Sequence, residues 1–410
     1  MKHFLSIAFC LLLLLPQTHA QRACGAWPFL QEAVNRKPSL AIPFFANSLS
    51  LPALQTNSDA ATQLPVLKIP VVVHILYNND QQNISDAQVR SQIDVLNKDY
   101  RKLNADTAFI PSGFHRLAAD CKIEFQLATA DPDGRATKGI LRKATRIRAF
   151  GMEDDIKSSA HGGSDPWDAD SYLNIWVAPL SKGIVGYASP PGIRKDLDGV
   201  VISFSAFGTT GSAQPPYNKG RTATHEIGHW LGLRHIWGDT DCGNDYIDDT
   251  PPQSSGTNGC PSGVVSTCNN GPNGNMYMNF MDFTDDACIS MFTCGQREVM
   301  RSLFEADRPR QQLLQSKGLS EPSLPALVTH EDETVSLPVK LYPNPASGFV
   351  QVSADQAIDG LPVVIQNYSG QIVLQTSLSK NGRINIGHLR AGLYFIKVGN
   401  SKTIKLLKVG

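Results

Sequence analysis

The sequence predicts an α+β protein in which a mixed, twisted sheet with helices is followed by a small all-β sandwich. A strand-like apolar run begins after Lys68, and Ser85 can cap the helix that follows it. A second helix over 221–234 precedes a loop-like stretch over 240–275 that is dense in Gly, Asn, Asp, Pro and Cys. From Leu341 the pattern changes to short alternating strands separated by Gly, Asn and Ser turns.

The N-terminal part of the chain precedes this fold. A basic start, an apolar run to Pro16 and small residues at Ala20 predict a signal peptide over residues 1–20. Residues 21–65 are rich in Pro, Ala, Ser and Asn without periodicity, and we interpret them as a propeptide. No later stretch approaches the roughly 20 consecutive apolar residues of a membrane span, so we expect an exported, soluble protein with no transmembrane segment.

The α+β domain is predicted over residues 66–318, a linker over 319–336 and the sandwich over 337–410. The helix after Ser85 presents apolar residues on one face, and the linker is rich in Ser, Pro and Glu. The other predicted elements are strands at 69–76, 123–128, 172–177 and 200–204, an extended piece at 186–188, a helix at about 296–315, and strands at 349–352, 363–367, 372–375, 393–398 and 403–409.

The charge of the chain is balanced. Its 37 Lys and Arg oppose 37 Asp and Glu, which leaves a formal net charge of +0. Such a chain has no long-range field to attract nucleic acid or an anionic membrane, so neither partner is expected. We expect a monomer.

Cysteine number and export together predict disulfides. One of the eight cysteines, Cys10, lies in the predicted signal peptide, and seven thiols in an oxidising compartment leave at least one unpaired. Cys24 stands apart from the rest. The other six, whose connectivity the count leaves open, are Cys121, Cys242, Cys260, Cys268, Cys288 and Cys294.

The sequence from His225 to His235 predicts a metal site. Residues i and i+4 share a helical face, so His225 and His229 can present their imidazoles to one zinc ion about 2.0–2.1 Å away. Gly232 can end the helix in the left-handed conformation, after which His235 can reach the same ion. Three protein ligands leave one tetrahedral position open, which is typical of a catalytic rather than a structural zinc.

Glu226 follows the first histidine directly and is predicted to be the general base. It would take a proton from the water that the metal activates for attack on a polarised carbonyl. The alternative is a surface helix that carries three histidines by chance. The full HEXXHXXGXXH spacing in an exported chain rarely arises in that way.

This extended motif is that of the metzincins, and the motifs around it resemble the pappalysin (cytophagalysin) family. The resemblance covers about residues 65–310 and implies a zinc-dependent endopeptidase with two subdomains around a cleft. Its substrates would be proteins or peptides cut at internal bonds. The matching segments are 225–235, 237–239, 248–251, 279–286, 292–293, 295–296, and the strands at 69–78 and 172–176.

The resemblance implies further structural features. Met281 looks like the methionine of the Met-turn below the zinc, and a core thioether is its plain alternative. Two disulfides match by position, Cys242–Cys268 and Cys260–Cys288. Parity then suggests Cys121–Cys294 as a third pair.

The resemblance also implies a calcium site. Asp245, Asp248, Asp249 and Thr250 lie where family members bind Ca²⁺ with hard oxygen donors. The alternative is a solvated acidic turn.

Two residues of the substrate pocket are also inferred from the family. Asp286 resembles the acidic residue that makes relatives prefer Arg or Lys on the primed side of the cut bond, and an exposed loop aspartate is the alternative. Phe283 stands where relatives have a tyrosine that donates to the oxyanion. This departure motivates one alternative, a catalytically weak or silent zinc-scaffold binding protein. A zinc amidase acting on non-protein substrates is a second alternative.

Cys24 lies in Arg-Ala-Cys-Gly, which resembles a propeptide cysteine switch. Its thiolate could occupy the open zinc position and keep a zymogen silent. A lipidated cysteine is the alternative, but Gln21-Arg22-Ala23 is a poor lipobox.

The last part of the chain is similar to the C-terminal sorting domain of the type IX secretion system. The resemblance rests on 341–346, 367–371 and 391–398. It implies the secretion machinery as a partner, passage across a Gram-negative outer membrane, and a location at or beyond the cell surface. An accessory substrate-binding sandwich is the alternative.

Overall fold

The computed structural model describes residues 23–25, 64–181, 183–325, 339–354, 358–367, 371–399, 401 and 403–410. The predicted signal peptide and almost all of the predicted propeptide therefore lie outside the described residues. The chain forms two compact units, the first reaching Ala326. Within the described ranges, no helix is long and apolar enough to span a membrane.

The first unit is built on a 7-stranded mixed sheet. The strands are β1 (Ala23–Cys24), β2 (Leu67–Tyr77), β3 (Ile123–Leu127), β4 (Ile140–Ala144), β5 (Leu173–Ala178), β6 (Ile184–Ala188) and β7 (Val200–Ser203). Their order is β1-β6-β7-β5-β2-β3, and only the β6–β7 pair is antiparallel. The central β2 is buried on both faces and long enough for its first half to pair with β3 and its second half with β4.

Three α-helices occur among the described residues of this unit: α1 (Asp86–Tyr100), α2 (Arg221–Trp230) and α3 (Cys294–Ser302). The Ser85 hydroxyl caps α1 by accepting the Gln88 N–H, as the sequence predicts. Thr293 and Gln296 form a capping box at the start of α3. Because α1 packs against both β3 and α2, it fixes the second helix relative to the sheet.

Two predicted helices are longer than those observed. The helix predicted over 221–234 ends at Trp230, because Gly232 turns the chain with φ 86° and the Leu233 N–H returns to the Gly228 carbonyl. The helix predicted to reach about 315 ends at Ser302 and resumes only as a 3₁₀ turn, Gln311–Gln315.

The segment after this turn hydrogen-bonds to the loop between β3 and β4 of the same unit. Thr129 N–H donates to the Gly318 carbonyl, and Ala136 N–H donates to the Leu324 carbonyl. The backbone of 318–324, most of which the sequence assigns to the linker, is thus tied to the 129–136 loop.

The second unit confirms the predicted sandwich. Its strands are β8 (Lys340–Tyr342), β9 (Phe349–Ser353), β10 (Pro362–Asn367), β11 (Ile372–Ser377), β12 (Arg383–Asn385), β13 (Gly392–Val398) and β14 (Ile404–Lys408). They form two antiparallel sheets, in the orders β11-β10-β13-β14 and β12-β9-β8, which share one apolar core that includes Val350, Ile365 and Ile396.

The structure contains the disulfides Cys242–Cys268 and Cys260–Cys288, each with a Cα–Cα distance of 5.6 Å. The third pair predicted from parity is wrong, since Cys121 and Cys294 are both free thiols. Cys121 lies inside the core, and burial raises its thiol pKa well above the usual range. The thiolate that disulfide exchange requires is therefore disfavoured there.

Candidate active site and metal centre

Helix α2 carries the motif and is held at both ends by distant residues. Gly220 before it has φ 76° and no side chain to cap the helix, so the buried Asp286 carboxylate accepts the Lys219 and Arg221 N–H groups instead. At the other end, the Trp230 indole N–H donates to Asp198. Every residue of α2 is buried, so its side chains have little freedom to move.

The three histidines point one nitrogen each at a common centre. Their Nε2 atoms lie 3.1–3.3 Å from one another. Tetrahedral zinc with ligands about 2.0–2.1 Å away requires nitrogen separations of about 3.3–3.4 Å, so the set fits zinc closely. Each Nδ1 has an oxygen partner, with His225 facing the Phe280 carbonyl at 2.6 Å and His229 the Leu233 carbonyl at 2.8 Å. These contacts favour the tautomer whose Nε2 lone pair faces the centre.

The third histidine has a different kind of outer partner. His235 Nδ1 contacts the Asp239 carboxylate four residues later, where Gly238 and Asp239 both have positive φ values, 58° and 60°. The sequence motifs include Asp239 but predict no role for it. The spacing of four residues between His235 and Asp239 was the feature of the sequence that could have indicated this contact.

The ionisation of the cluster also suits metal binding. Burial, with a smaller contribution from the adjacent His235, lowers the pKa of His229 to about 3. Its imidazole is therefore neutral at physiological pH, and neutral imidazole is the form that binds a metal.

Glu226 and Cys24 lie beside the histidines. The Cys24 sulfur is 3.5 Å from Glu226 Oε2, and it belongs with the three histidines to one group of ligand atoms within 4.8 Å of one another. Cys24 reaches this position in β1, which runs parallel to β6, and the Gly25 N–H directly after β1 donates to the Gly186 carbonyl at 2.9 Å. Of the two described pieces of the predicted propeptide, 23–25 and 64–65, the first thus lies beside the histidine cluster.

Met281 lies below the cluster. It is fully buried, and a Cβ built at Gly228 of α2 would lie 2.5 Å from its sulfur, so the thioether packs directly against the helix. The Met281 N–H donates to Asn279, which closes the turn. The same turn supplies the Phe280 carbonyl that faces the first histidine.

Aromatic rings form one wall of the centre. Trp237 stacks on His235 with a centroid distance of 4.5 Å and an interplanar angle of 2°. Phe283 lies edge-on to both rings, at 4.7 Å from His235 and 4.8 Å from Trp237. A Cβ at Gly256 would lie 2.9 Å from both the Phe283 and the Trp237 side chains. The loop that contains Gly256 therefore packs closely against these two rings and restricts their movement away from the histidines.

The acidic loop, residues 245–250, does not arrange its side chains around a common centre as the histidines do. Asp245 accepts the Thr250 hydroxyl and the Ile247 N–H, whereas Asp249 accepts the Thr293 hydroxyl and the Gly295 N–H at the start of α3. In the part of the chain that the structure describes, the carboxylates of this loop do not bring three ligand atoms within 4.8 Å. Burial, with a smaller contribution from the charge of Asp249, raises the pKa of Asp245 to about 7.

Two family models match the chain. The peptidase M43 model, described as pregnancy-associated plasma protein-A, matches residues 157–305. A model of a secretion system C-terminal sorting domain matches residues 340–409. An extracellular metalloprotease of Arthroderma gypseum is 31% identical over 301 residues, which are 70% of this chain and 85% of that protein.

Solved structures resemble the first unit. Mature mirolysin of Tannerella forsythia, in complex with a cleaved peptide, is 50% identical and has a TM-score of 0.60. It covers 61% of this chain, and the match spans 96% of that chain. A promirolysin mutant from the same organism is 45% identical with a TM-score of 0.64, and the match covers 72% of this chain and 97% of that one.

Proposed function

The chain belongs to the pappalysin family of metalloproteases, peptidase M43, and on that premise we propose that His225, His229 and His235 hold its catalytic zinc while Glu226 is the general base. Family membership makes it a secreted zinc metalloendopeptidase with a metzincin fold. The observation that carries the residue assignment is the convergence of three Nε2 atoms at the spacing of tetrahedral zinc. The alternative of a silent binding scaffold is not favoured by these relatives.

The reaction divides between the metal and the chain. Bound zinc supplies Lewis-acid polarisation of the scissile carbonyl and makes water nucleophilic near neutral pH. Glu226, buried beside the first histidine, accepts the proton of the attacking water and delivers it to the leaving amine.

A single comparison tests this assignment. Purified protein without its pro-segment should cleave denatured casein and lose that activity with a zinc chelator. Glu226→Ala should keep its zinc content and lose nearly all turnover. Full turnover in this variant would overturn the assigned base.

We also propose a preference for Arg or Lys on the primed side of the cut bond, with Asp286 as its source. The support is its buried carboxylate, which rules out an exposed loop residue. The test uses two peptides that carry either Arg or Leu directly after the cut bond and are otherwise identical. Asp286→Asn should lower kcat/KM about 10–100-fold for the Arg peptide and leave kcat/KM for the Leu peptide unchanged. Because Asp286 also caps α2, zinc content and unfolding temperature of the variant are the control. An equal loss for both peptides would refute the preference.

The pro-segment is proposed to keep the enzyme latent, with the Cys24 thiolate as a zinc ligand. Its support is the distance of its sulfur from the histidine nitrogens and the β1–β6 pairing. Cys24→Ala should release activity earlier during maturation than the parent does. An unchanged time course would assign inhibition to another contact.

The calcium ion that the family implies is also a proposal. Its support is the burial of the Asp245 carboxylate, which raises the pKa of that group to about 7 and disfavours its charged form, a cost that a bound cation would offset. Ca²⁺ takes six to eight oxygens and accepts backbone carbonyls and water, so carboxylates need not converge as zinc ligands do.

Export completes the proposal. The C-terminal unit is a type IX secretion sorting domain, and we infer that it delivers the protease to the cell surface or medium of a Gram-negative bacterium. Deletion from Leu341 onward should leave folded, zinc-loaded protease in the periplasm. Normal appearance outside the cell would show that the unit is not the signal.

A further inference from the structure

Strand β6 touches the proposed general base at a glycine. A Cβ built at Gly186 would lie 2.9 Å from Glu226 Cγ and 3.1 Å from its Oε1. Gly186 has no positive φ, so its backbone conformation does not itself require glycine. The nearest atom that a larger residue would meet at this position belongs to the Glu226 side chain.

Strand β6 cannot move away from Glu226 without disturbing its pairing with β7. Gly186 pairs with Ile202 of β7 in an antiparallel ladder, and the Cβ of any larger residue at this position would lie 3.1 Å from the Val201 carbonyl oxygen. That oxygen is part of the backbone of an inner strand of the sheet. An added methyl group would therefore displace the side chain of Glu226, which is the softer neighbour.

We propose that Gly186 is a positioning residue that sets the location of the Glu226 carboxylate relative to the histidine cluster. The missing side chain lets the strand approach closely, and the strand in turn limits the rotamers open to Glu226. The proposal rests on the assignment of Glu226 as general base, which the Glu226→Ala turnover measurement tests separately.

The same glycine also faces the pro-segment. Its carbonyl accepts the Gly25 N–H, and Cys24 is its partner in the β1–β6 register. This contact uses only backbone atoms of Gly186, so an added methyl group changes the Glu226 side of the strand without removing the hydrogen bond to the pro-segment.

The first test measures the kinetics of Gly186→Ala. The variant is made in the full chain, and activity is measured after the pro-segment has been removed. Because misplacing a reacting group by about 1 Å can cost about 10²-fold, kcat should fall about 10–100-fold, with KM and zinc content close to those of the parent. Gly348→Ala is the matched control, since its Cβ would meet nothing within 4 Å, and its kcat should not change. Parental kcat in Gly186→Ala would overturn the proposal.

A double-mutant cycle separates positioning from damage to the sheet. The fall in unfolding midpoint caused by Gly186→Ala should be at least halved when Glu226→Ala removes the Cγ atom that the methyl group meets. An equal fall in both backgrounds would place the clash in the sheet and refute the proposal. If Gly186→Ala does not fold alone, recovery of folding in the double variant supports the proposal, and failure of both variants refutes it.

Discussion

The histidine cluster and the acidic loop are both sets of potential metal ligands close together in sequence, but the structure treats them differently. The three histidines direct their Nε2 atoms to one point, and these nitrogens lie 3.1–3.3 Å from one another. The Nδ1 atom of each ring contacts an oxygen on the side away from that point. In the acidic loop, Asp245 and Asp249 accept hydrogen bonds from the protein in two separate places. The difference teaches that convergence of ligand atoms, rather than density of ligand residues, identifies a site from side chains alone.

The largest expected effect comes from breaking the convergence itself. His235→Ala removes one of three directed nitrogens, so zinc and activity should be lost together. Zinc content by elemental analysis and casein cleavage measure the two properties on the same sample. His115→Ala, at an exposed histidine outside the cluster, is the control and should keep both. Retained zinc in the histidine variant would show that the observed convergence is not the binding site.

The next effect tests whether the Asp239 carboxylate, which contacts His235 Nδ1, strengthens zinc binding by the histidine cluster. Asp239→Asn keeps an acceptor oxygen but removes the charge that orients the ring, so zinc affinity should fall about 10–100-fold. Competition with a chromogenic chelator measures the affinity independently of turnover. Unchanged affinity would reduce Asp239 to a loop residue with no role toward the metal.

A smaller effect is expected at the aromatic wall of the cluster. An oxyanion donor is worth about 10²–10³ in kcat, and zinc already stabilises part of that charge, so Phe283→Tyr should raise kcat about tenfold. KM should change little, because the added hydrogen bond would exist only in the transition state. Equal kcat would mean that another group already donates there or that the hydroxyl points elsewhere.

The smallest effect concerns the acidic loop and its pH dependence. The folded Asp245 pKa is raised from 3.8 to about 7, so its contribution to stability is present below pH 3.8 and lost as pH rises through about 7. Calcium should therefore raise the unfolding temperature at pH 8, by about 2–4 °C for each kcal/mol of stabilisation, and have little effect at pH 5.

Asp245→Asn is the matched variant for this measurement, because it removes the charge and keeps the size. It should lose the calcium response at pH 8. The absence of any calcium response in the parent at both pH values would establish the acidic loop as a turn held by protein contacts alone.

Much of the fold and of the site follows from local sequence. The apolar run in β2, the Ser85 cap and the alternating strands after Leu341 predict elements that the structure contains. The fourth strand, Ile140–Ala144, was missed because Arg142 and Lys143 interrupt its apolar pattern. The predicted extent of α2 was too long because Leu231 and Leu233 continue its apolar pattern, although the turn predicted at Gly232 is present.

The sequence by itself determined the chemistry: two histidines one helical turn apart, a carboxylate next to the first, and a third histidine after a glycine. Helical geometry fixes such relations over a few residues, so their spacing can be read directly. Only the tertiary structure decided that Asp286 caps α2, that Asp249 caps α3, and that Gly186 lies against Glu226. Each of these contacts joins residues 40 or more positions apart. Their approach depends on how the sheet and loops pack, and no local periodicity encodes that packing.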